Sequence, residues 1–369
     1  MHTYVTLTLE GDHYAMGWQH GRQVGGLRSL IVQAIEARFA QIEADGPDPH
    51  FETLLRETRE LLQDVDPPLL AMIQGQAETL EFEFDTLLRY NLVTYLRDDL
   101  LTRQPPAGSV GDRPEQEGCT TWAATGSAAA GGQPILVKNR DNRLEHLPLQ
   151  VVIHAAPESG YRYVCSNSAG RPGVSCAGIN QAGLAVADTH VCSTDLGPGL
   201  PDYALMMHIL EAHDSVSSAV DYLRSVPRLG RNNLILADAR GHLAVFEIGH
   251  RDYGLFEAHD GALVNTNHFV SPELRDCYVD VHPPSKRGNS FRRYRKVTRE
   301  LNAAWGQIDV AFAQWLMADH DGPLASICRH PVAGSDAATL STSIFLPAQR
   351  TMLFCHGLPC QGHYDDFAL

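Results

Sequence analysis

Glu117-Gly118-Cys119-Thr120-Thr121 marks the point at which the character of the chain changes. Upstream, the stretch from Gln104-Pro105-Pro106-Ala107-Gly108-Ser109 to Glu117 is polar, rich in Pro and Gly, and without periodicity. That is the composition of a solvent-exposed loop. Downstream, residues 120–125 and 134–139 flank Gly131-Gly132 and read as a β-hairpin. A cysteine at such a junction has two readings. As part of a bare Gly-Cys-Thr tripeptide it is best taken as a small buried residue that opens a strand. It can also be a nucleophile. If its thiol attacks the Gly118 carbonyl, the peptide bond becomes a thioester, and hydrolysis leaves Cys119 with a free α-amine. Gly118 presents no side chain to obstruct that attack and tolerates a strained backbone. The new amine, with an ordinary pKa of about 7.7–8.0, can act as base for its own thiol.

Working outward, the first hundred residues read as helical. Leu27, Leu30, Ile31, Ala34, Ile35, Phe39 and Ile42 recur at helical spacing, with Arg28, Gln33, Glu36 and Arg38 on the other face. Further amphipathic stretches cover about 51–62 and, after Pro67-Pro68, about 70–101. Beyond the junction, residues 149–156 and 161–166 form a second expected hairpin, 183–189 another strand, and 234–238 pairs with 243–248. Helical periodicity returns over 203–226, 292–304 and 310–317, before strands at 339–346 and 351–355. This alternation predicts an α+β fold with helices layered over stacked antiparallel sheets.

Composition narrows the function classes. The 369 residues carry a formal charge of −15 and are 44% hydrophobic. That is ample for a core and unsuited to nucleic acid or an anionic membrane surface. No run of 18 apolar residues occurs, and Met1-His2-Thr3-Tyr4-Val5-Thr6-Leu7 lacks the form of a secretion signal, so a cytoplasmic protein is expected. The eight cysteines are scattered without a CxxC pair, as in a protein kept reduced.

Several motifs, taken in order, resemble the acyl-coenzyme A:6-aminopenicillanic acid acyltransferase (isopenicillin N acyltransferase) family, within the autoproteolytic cysteine N-terminal-nucleophile (Ntn) hydrolases. They are the Gly11-Asp12-His13-Tyr14-Ala15-Met16-Gly17-Trp18-Gln19-His20-Gly21 opening, Gly118-Cys119-Thr120-Thr121, Asn139-Arg140-Asp141, and Gly178-Ile179-Asn180-Gln181-Ala182-Gly183-Leu184. Thr266-Asn267-His268-Phe269, Ser326-Ile327-Cys328-Arg329 and Gly357-Leu358-Pro359-Cys360 follow. The resemblance implies a four-layer αββα sandwich preceded by a helical segment. It also implies self-cleavage between Gly118 and Cys119. The products would be a helical chain of residues 1–118, ending in an exposed linker at about 104–118, and a catalytic chain of 119–369, which stay associated.

The roles it implies are Cys119 as nucleophile, Asp141 beside the new α-amine, and Asn267 as a donor to the oxyanion. On the bare sequence Asp141 is also a turn residue and Asn267 an Asx-turn residue. Asn139, Arg140, Ser335 and Asp336 are candidate substrate contacts. So is either Thr189 or His190, with the choice open. Where the family pattern has Ser-Arg, this chain has Ser335-Asp336, a charge reversal that predicts a neutral or cationic amine portion in the substrate.

The expected partner is a small-molecule amide or thioester, with no nucleic acid, no membrane and a homo-oligomer possible. Cleavage of an amide is the first reading and acyl transfer to an amine the second. An uncleaved binding protein on the same fold is a third from another class. No cofactor and no metal are expected. Cys355-His356, Cys360 and His363 do not follow a common zinc spacing. Ser290, Arg292, Arg293, Arg295 and Lys296 read as a basic helix with a solvated face.

Overall fold

The computed structural model describes residues 4–46, 48–103, 118–281, 287–322, 325–331 and 337–369. The loop expected at 104–117, and Ser335 and Asp336, lie outside them.

The chain opens with a strand, β1 (Val5–Gly11), where the sequence reading expected only helices. Its Thr6-Leu7-Thr8-Leu9 alternation buries both leucines and exposes both threonines, the period-2 signature of a half-covered strand. Five helices follow: α1 (His13–Gln23), α2 (Arg28–Asp45), α3 (Pro49–Val65), α4 (Pro67–Leu80) and α5 (Phe84–Arg103). Asp12, Asp48 and Asp66 cap α1, α3 and α4, each carboxylate accepting from a first-turn amide. Pro49 and Pro67 stand at first helical positions, where no amide is needed.

After the junction come β2 (Thr120–Gly126), β3 (Gly132–Arg143), β4 (Gln150–Pro157), β5 (Tyr163–Ser168), β6 (Ala177–Asn180) and β7 (Ala185–Thr189). Next are α6 (Asp202–Ala212), α7 (Val216–Ser225), β8 (Asn232–Ala237), β9 (Leu243–Ile248), β10 (Tyr253–Ala258) and β11 (Gly261–Asn265). The chain ends with α8 (Asn289–Ala303), α9 (Val310–Met317), β12 (Ala337–Leu346), β13 (Thr351–His356) and β14 (Tyr364–Ala368).

The strands make an eight-stranded sheet in the order β1-β4-β5-β6-β7-β8-β9-β10, and a six-stranded sheet in the order β11-β2-β3-β12-β13-β14. Three apolar clusters show how the layers stack. Val151 and Ile153 of β4 face α1–α7, while Val152 between them faces the other sheet. In β2, Ala123 faces the first sheet, while Trp122 and Ala124 pack on Val297, Leu301, Leu316 and Met317 of α8 and α9. Alternating side chains of each strand therefore enter different cores, and the layers run helix, sheet, sheet, helix. This is the expected four-layer αββα sandwich.

The N-terminal segment is no separate body. β1 adds to the sheet as a parallel neighbour of β4, and α1–α5 share one core with α6, α7 and the sheet. No helix among the described residues is long and apolar enough to cross a membrane.

Candidate active site

Register builds the centre of the site. β2 pairs with β3 from Thr120↔Asn139 onward, so carrying that pairing back two residues sets Gly118 opposite Asp141. On the other flank Thr121 pairs with Asn265, and the same continuation sets Asn267 opposite Cys119. Contacts agree with the first of these placements. A methyl group built on Gly118 would stand 3.4 Å from Asp141 Oδ2 and 3.6 Å from Arg293 Nη2. A bulge in β12 between Thr339 and Ser341 keeps Thr339 opposite Asp141, where its hydroxyl donates to Oδ1 at 2.6 Å.

Arg293 ties these strands together. It is 2% exposed, and its Nη1 donates to the Cys119 carbonyl and, at 2.8 Å, to Thr120 Oγ1. Its Nη2 donates at 2.7 Å to Asn267 Oδ1, and its Nε at 2.7 Å to Asn289. Because the Asn267 oxygen faces a guanidinium, the orientation of that amide is settled. One of its N–H groups donates to the His190 carbonyl at 2.8 Å.

Electrostatics tune the acid. Burial pushes the Asp141 carboxyl up to about 7, against the pull of Arg293, the Thr339 hydrogen bond and Lys138. Lys138 is buried as well. Desolvation alone would lower its pKa, but the Asp188 carboxylate, with smaller contributions from Cys176 and Cys119, holds it above the ordinary range. An ammonium is thus fixed close to the Cys119 thiol. Burial, then Arg293, brings His268 down to about 4, so this ring is neutral at pH 7.

Cys119 opens onto a narrow cavity of about 40 Å³ whose wall is rich in cations: Lys138, Arg140, Arg171 and Arg231 against the single carboxylate of Asp188. The summed field shows on His146, which is held well below its ordinary pKa by burial and by Arg140, Arg171, Arg38 and Arg143. Arg140 Nη2 donates to Ser168 at 2.8 Å, while its Nη1 is buried without an acceptor among the described residues. Helix α5 supplies part of the wall. Asn91 and Thr94 accept from Arg171 at 3.2 and 3.1 Å, and the Thr94 carbonyl accepts from Arg231 at 3.2 Å. Arg231 and Asn232 both hold positive φ, 59° and 148°, a strain of about 1–3 kcal/mol each that surrounding bonds must offset. The amide of Asn232 does so by bonding the Asp202 carboxylate.

The expected site residues separate accordingly. Gly118, Cys119, Asp141 and Asn267 converge, and Arg140 and His190 line the cavity beside Cys119. Asn139 is absorbed in packing, its amide donating to the Met317 and Ile327 carbonyls and its oxygen accepting from Thr342. Of the two candidates at the end of β7, Thr189 faces inward, bonding Asn265 at 2.9 Å and the Thr266 carbonyl at 2.8 Å. His190 faces the cavity.

The basic helix is a correction. Ser290, Arg293, Val297 and Leu301 form the buried stripe of α8, so Arg293 lies on its apolar face, not on a solvated one. That three-and-four spacing was the signal available. Lys138 and Thr339 gave none, since each sits in an apolar strand pattern.

Two stacked sheets between helical layers, with a cysteine at the head of a strand between an acid and an amide, define an Ntn-hydrolase fold. The family model described as acyl-coenzyme A:6-aminopenicillanic acid acyl-transferase matches residues 128–361, and the chain belongs to that family. Membership makes it an enzyme of the amide-hydrolase and acyltransferase kind. The matched span holds Asp141, Asn267, Arg293 and Thr339, and begins after Cys119. Among solved structures the chain is similar to a mutant of the conjugated bile acid hydrolase from Clostridium perfringens, at 11% identity and a TM-score of 0.48, covering 68% of this chain and 97% of that one. It is also similar to the penicillin V acylase from Agrobacterium tumefaciens, at 15% identity and a TM-score of 0.44, covering 68% of this chain and 86% of that one. No curated protein matches the sequence.

Proposed function

We propose that this protein is a self-activating cysteine amidase whose nucleophile is Cys119. The observation that carries the reading is the convergence of Gly118–Cys119 with Asp141 on one strand neighbour and Asn267 on the other, locked by Arg293.

In the precursor the Cys119 thiol attacks the Gly118 carbonyl. The neutral form of Asp141, available up to about pH 7, donates a proton to the departing Cys119 nitrogen and takes up the one the thiol loses. Water then hydrolyses the thioester, leaving Gly118 with a carboxylate and Cys119 with an α-amine. Once that amine is an ammonium, its charge favours ionised Asp141 beside it. In turnover the amine takes the thiol proton, the thiolate attacks an amide carbonyl, and Asn267 Nδ2 donates to the oxyanion. The amine product leaves with the proton, and water resolves the acyl-enzyme.

The shared core supports continued association of the two chains. Leu7, Leu9, Ile31 and Met72 of the first chain are buried in it, each contributing about 1.5–3 kcal/mol, and α5 holds Arg171 and Arg231 in the cavity wall. The cationic wall favours a substrate bearing a carboxylate, aimed at Arg140 Nη1. It competes with the expectation of a neutral or cationic amine drawn from Asp336, a residue outside the described ones. The family description supports the second reading, in which an amine replaces water as acceptor.

Intact mass under denaturing conditions tests the proposal. The expected result is two chains, 1–118 and 119–369, in the wild type, which elute together in native buffer, and one uncleaved chain for Cys119→Ala with no amidase activity. A wild type that stays whole, or a Cys119→Ala variant that still cleaves, overturns it.

A further inference from the structure

Outside the active site, three segments bring metal-binding side chains together. His320 follows α9, Cys328 and His330 lie in the segment 325–331, and Cys360 sits in the turn between β13 and β14. The ligand atoms of His320, His330 and Cys360 all lie within 4.8 Å of one another. His330 Nε2 is 3.1 Å from Cys360 Sγ, and Cys328 Sγ is 3.6 Å from Cys360 Sγ. The zinc set weighed in the sequence does not form here. His356 turns to the Leu147 carbonyl and stacks on Tyr4, and the His363 side chain is 88% exposed.

The geometry points to a structural zinc site centred on His320, His330 and Cys360, which Cys328, 3.6 Å from Cys360, joins as the fourth ligand. Two thiolates on tetrahedral zinc, with bonds of about 2.3 Å, stand about 3.8 Å apart, close to the observed separation. A disulfide would need about 2.05 Å. Imidazole with thiolate is the donor set that suits zinc over magnesium or calcium. The tautomer is already set on one ligand. His320 Nδ1 lies 3.1 Å from the Ala318 carbonyl, which can only accept, so Nδ1 carries the hydrogen and Nε2 the lone pair. Binding forms two Zn–S and two Zn–N bonds and releases one proton from each thiol, giving a neutral centre.

Such a centre staples the wall of the active site. Cys328 and His330 bracket Arg329, whose main chain exchanges two bonds with Thr339: its amide donates to Oγ1 at 2.8 Å, and its carbonyl accepts from the Thr339 amide at 2.9 Å. Thr339 in turn donates to Asp141. The ligands are positioning residues, acting on Asp141 through Thr339, and the proposal stands independently of the reaction assigned above.

The test uses full-length protein purified under reducing conditions, stripped with chelator and reloaded with zinc or cobalt(II). The expected result is one zinc per chain, two protons released on loading, and a cobalt spectrum with thiolate charge-transfer and tetrahedral d–d bands. Loading should be lost in Cys360→Ser and His330→Ala, weakened at least about 10-fold in His320→Ala at the exposed end, and unchanged in His363→Ala. Zinc below one-tenth per chain after reloading overturns the proposal. So does a Cys328–Cys360 disulfide in the reloaded protein, or equal zinc affinity in His320→Ala and wild type under chelator competition.

Discussion

The two sides of the candidate site are built differently. On the chemical side, Cys119, Asp141, Asn267 and Thr339 stand on or just beyond neighbouring strands of one sheet, and register alone places each opposite the next. On the cavity side, Arg140 comes from β3, Arg171 from the loop after β5 and Arg231 from the residue before β8, and helix α5 holds two of the three in place. Strand ladders fix positions to a fraction of an ångström. A wall assembled from separate segments depends on how whole layers pack. The chemistry should therefore be intolerant of change, while the wall sets what binds and can be altered without stopping the reaction.

The largest effect should fall on the chemical side. Arg293→Met removes the donor to both Cys119 O and Asn267 Oδ1, freeing the Asn267 amide to turn. Self-cleavage and kcat should drop about 10²–10³-fold, the scale for loss of an oxyanion donor. Arg293→Lys should not restore them, because an ammonium cannot span acceptors that a planar fork reaches. Single-turnover rates read this directly. A loss of melting temperature with kcat unchanged would show that Arg293 only holds the fold.

On the cavity side, Arg140→Met should raise KM for carboxylate-bearing amides about 10–100-fold and leave kcat within a few-fold, as expected for one charge-assisted bond. Neutral amides should be indifferent. Equal effects on both substrate types would erase the distinction between the two sides.

A subtler change sharpens it. Since the neutral acid is taken as the proton donor, self-cleavage should fall as pH rises through about 7, where Asp141 ionises. The Thr339 hydrogen bond favours the carboxylate, so Thr339→Val raises that pKa further and moves the falling limb to higher pH. Cleavage time courses of precursor refolded across pH 5–9 (a range of about four units around the Asp141 value) measure it. A limb that stays put in Thr339→Val removes Asp141 from the donor role.

These differences parallel what could be read beforehand. The hairpins around β2–β3 and β8–β9, the helices and the layered α+β class were visible because periodicity is local. The Thr-Leu alternation of β1 is explicit, but the helices that follow dominate the composition there and mask it. Arg293 was placed on a solvated face because four neighbouring basic or polar residues suggested one. The buried stripe Ser290, Arg293, Val297 and Leu301 needed the period, not the charge. Asn139 was expected near substrate and is instead absorbed by two main-chain carbonyls from α9 and the segment beyond it, partners more than 170 residues away.

By itself the sequence determined the layered fold class, the strand that begins just after Cys119, and the motif order that includes Asp141 and Asn267. Alternation, turn chemistry and short motifs are local, and strand pairing carries them into space without further information. Only the tertiary structure decided that Arg293 joins the two flanks, that Arg140, Arg171 and Arg231 share one wall with α5, and that His320, Cys328, His330 and Cys360 meet. Those contacts join segments whose separation along the chain carries no trace of their distance in space. Their energies come from burying charge against fixed partners, a condition that exists only once the layers have closed.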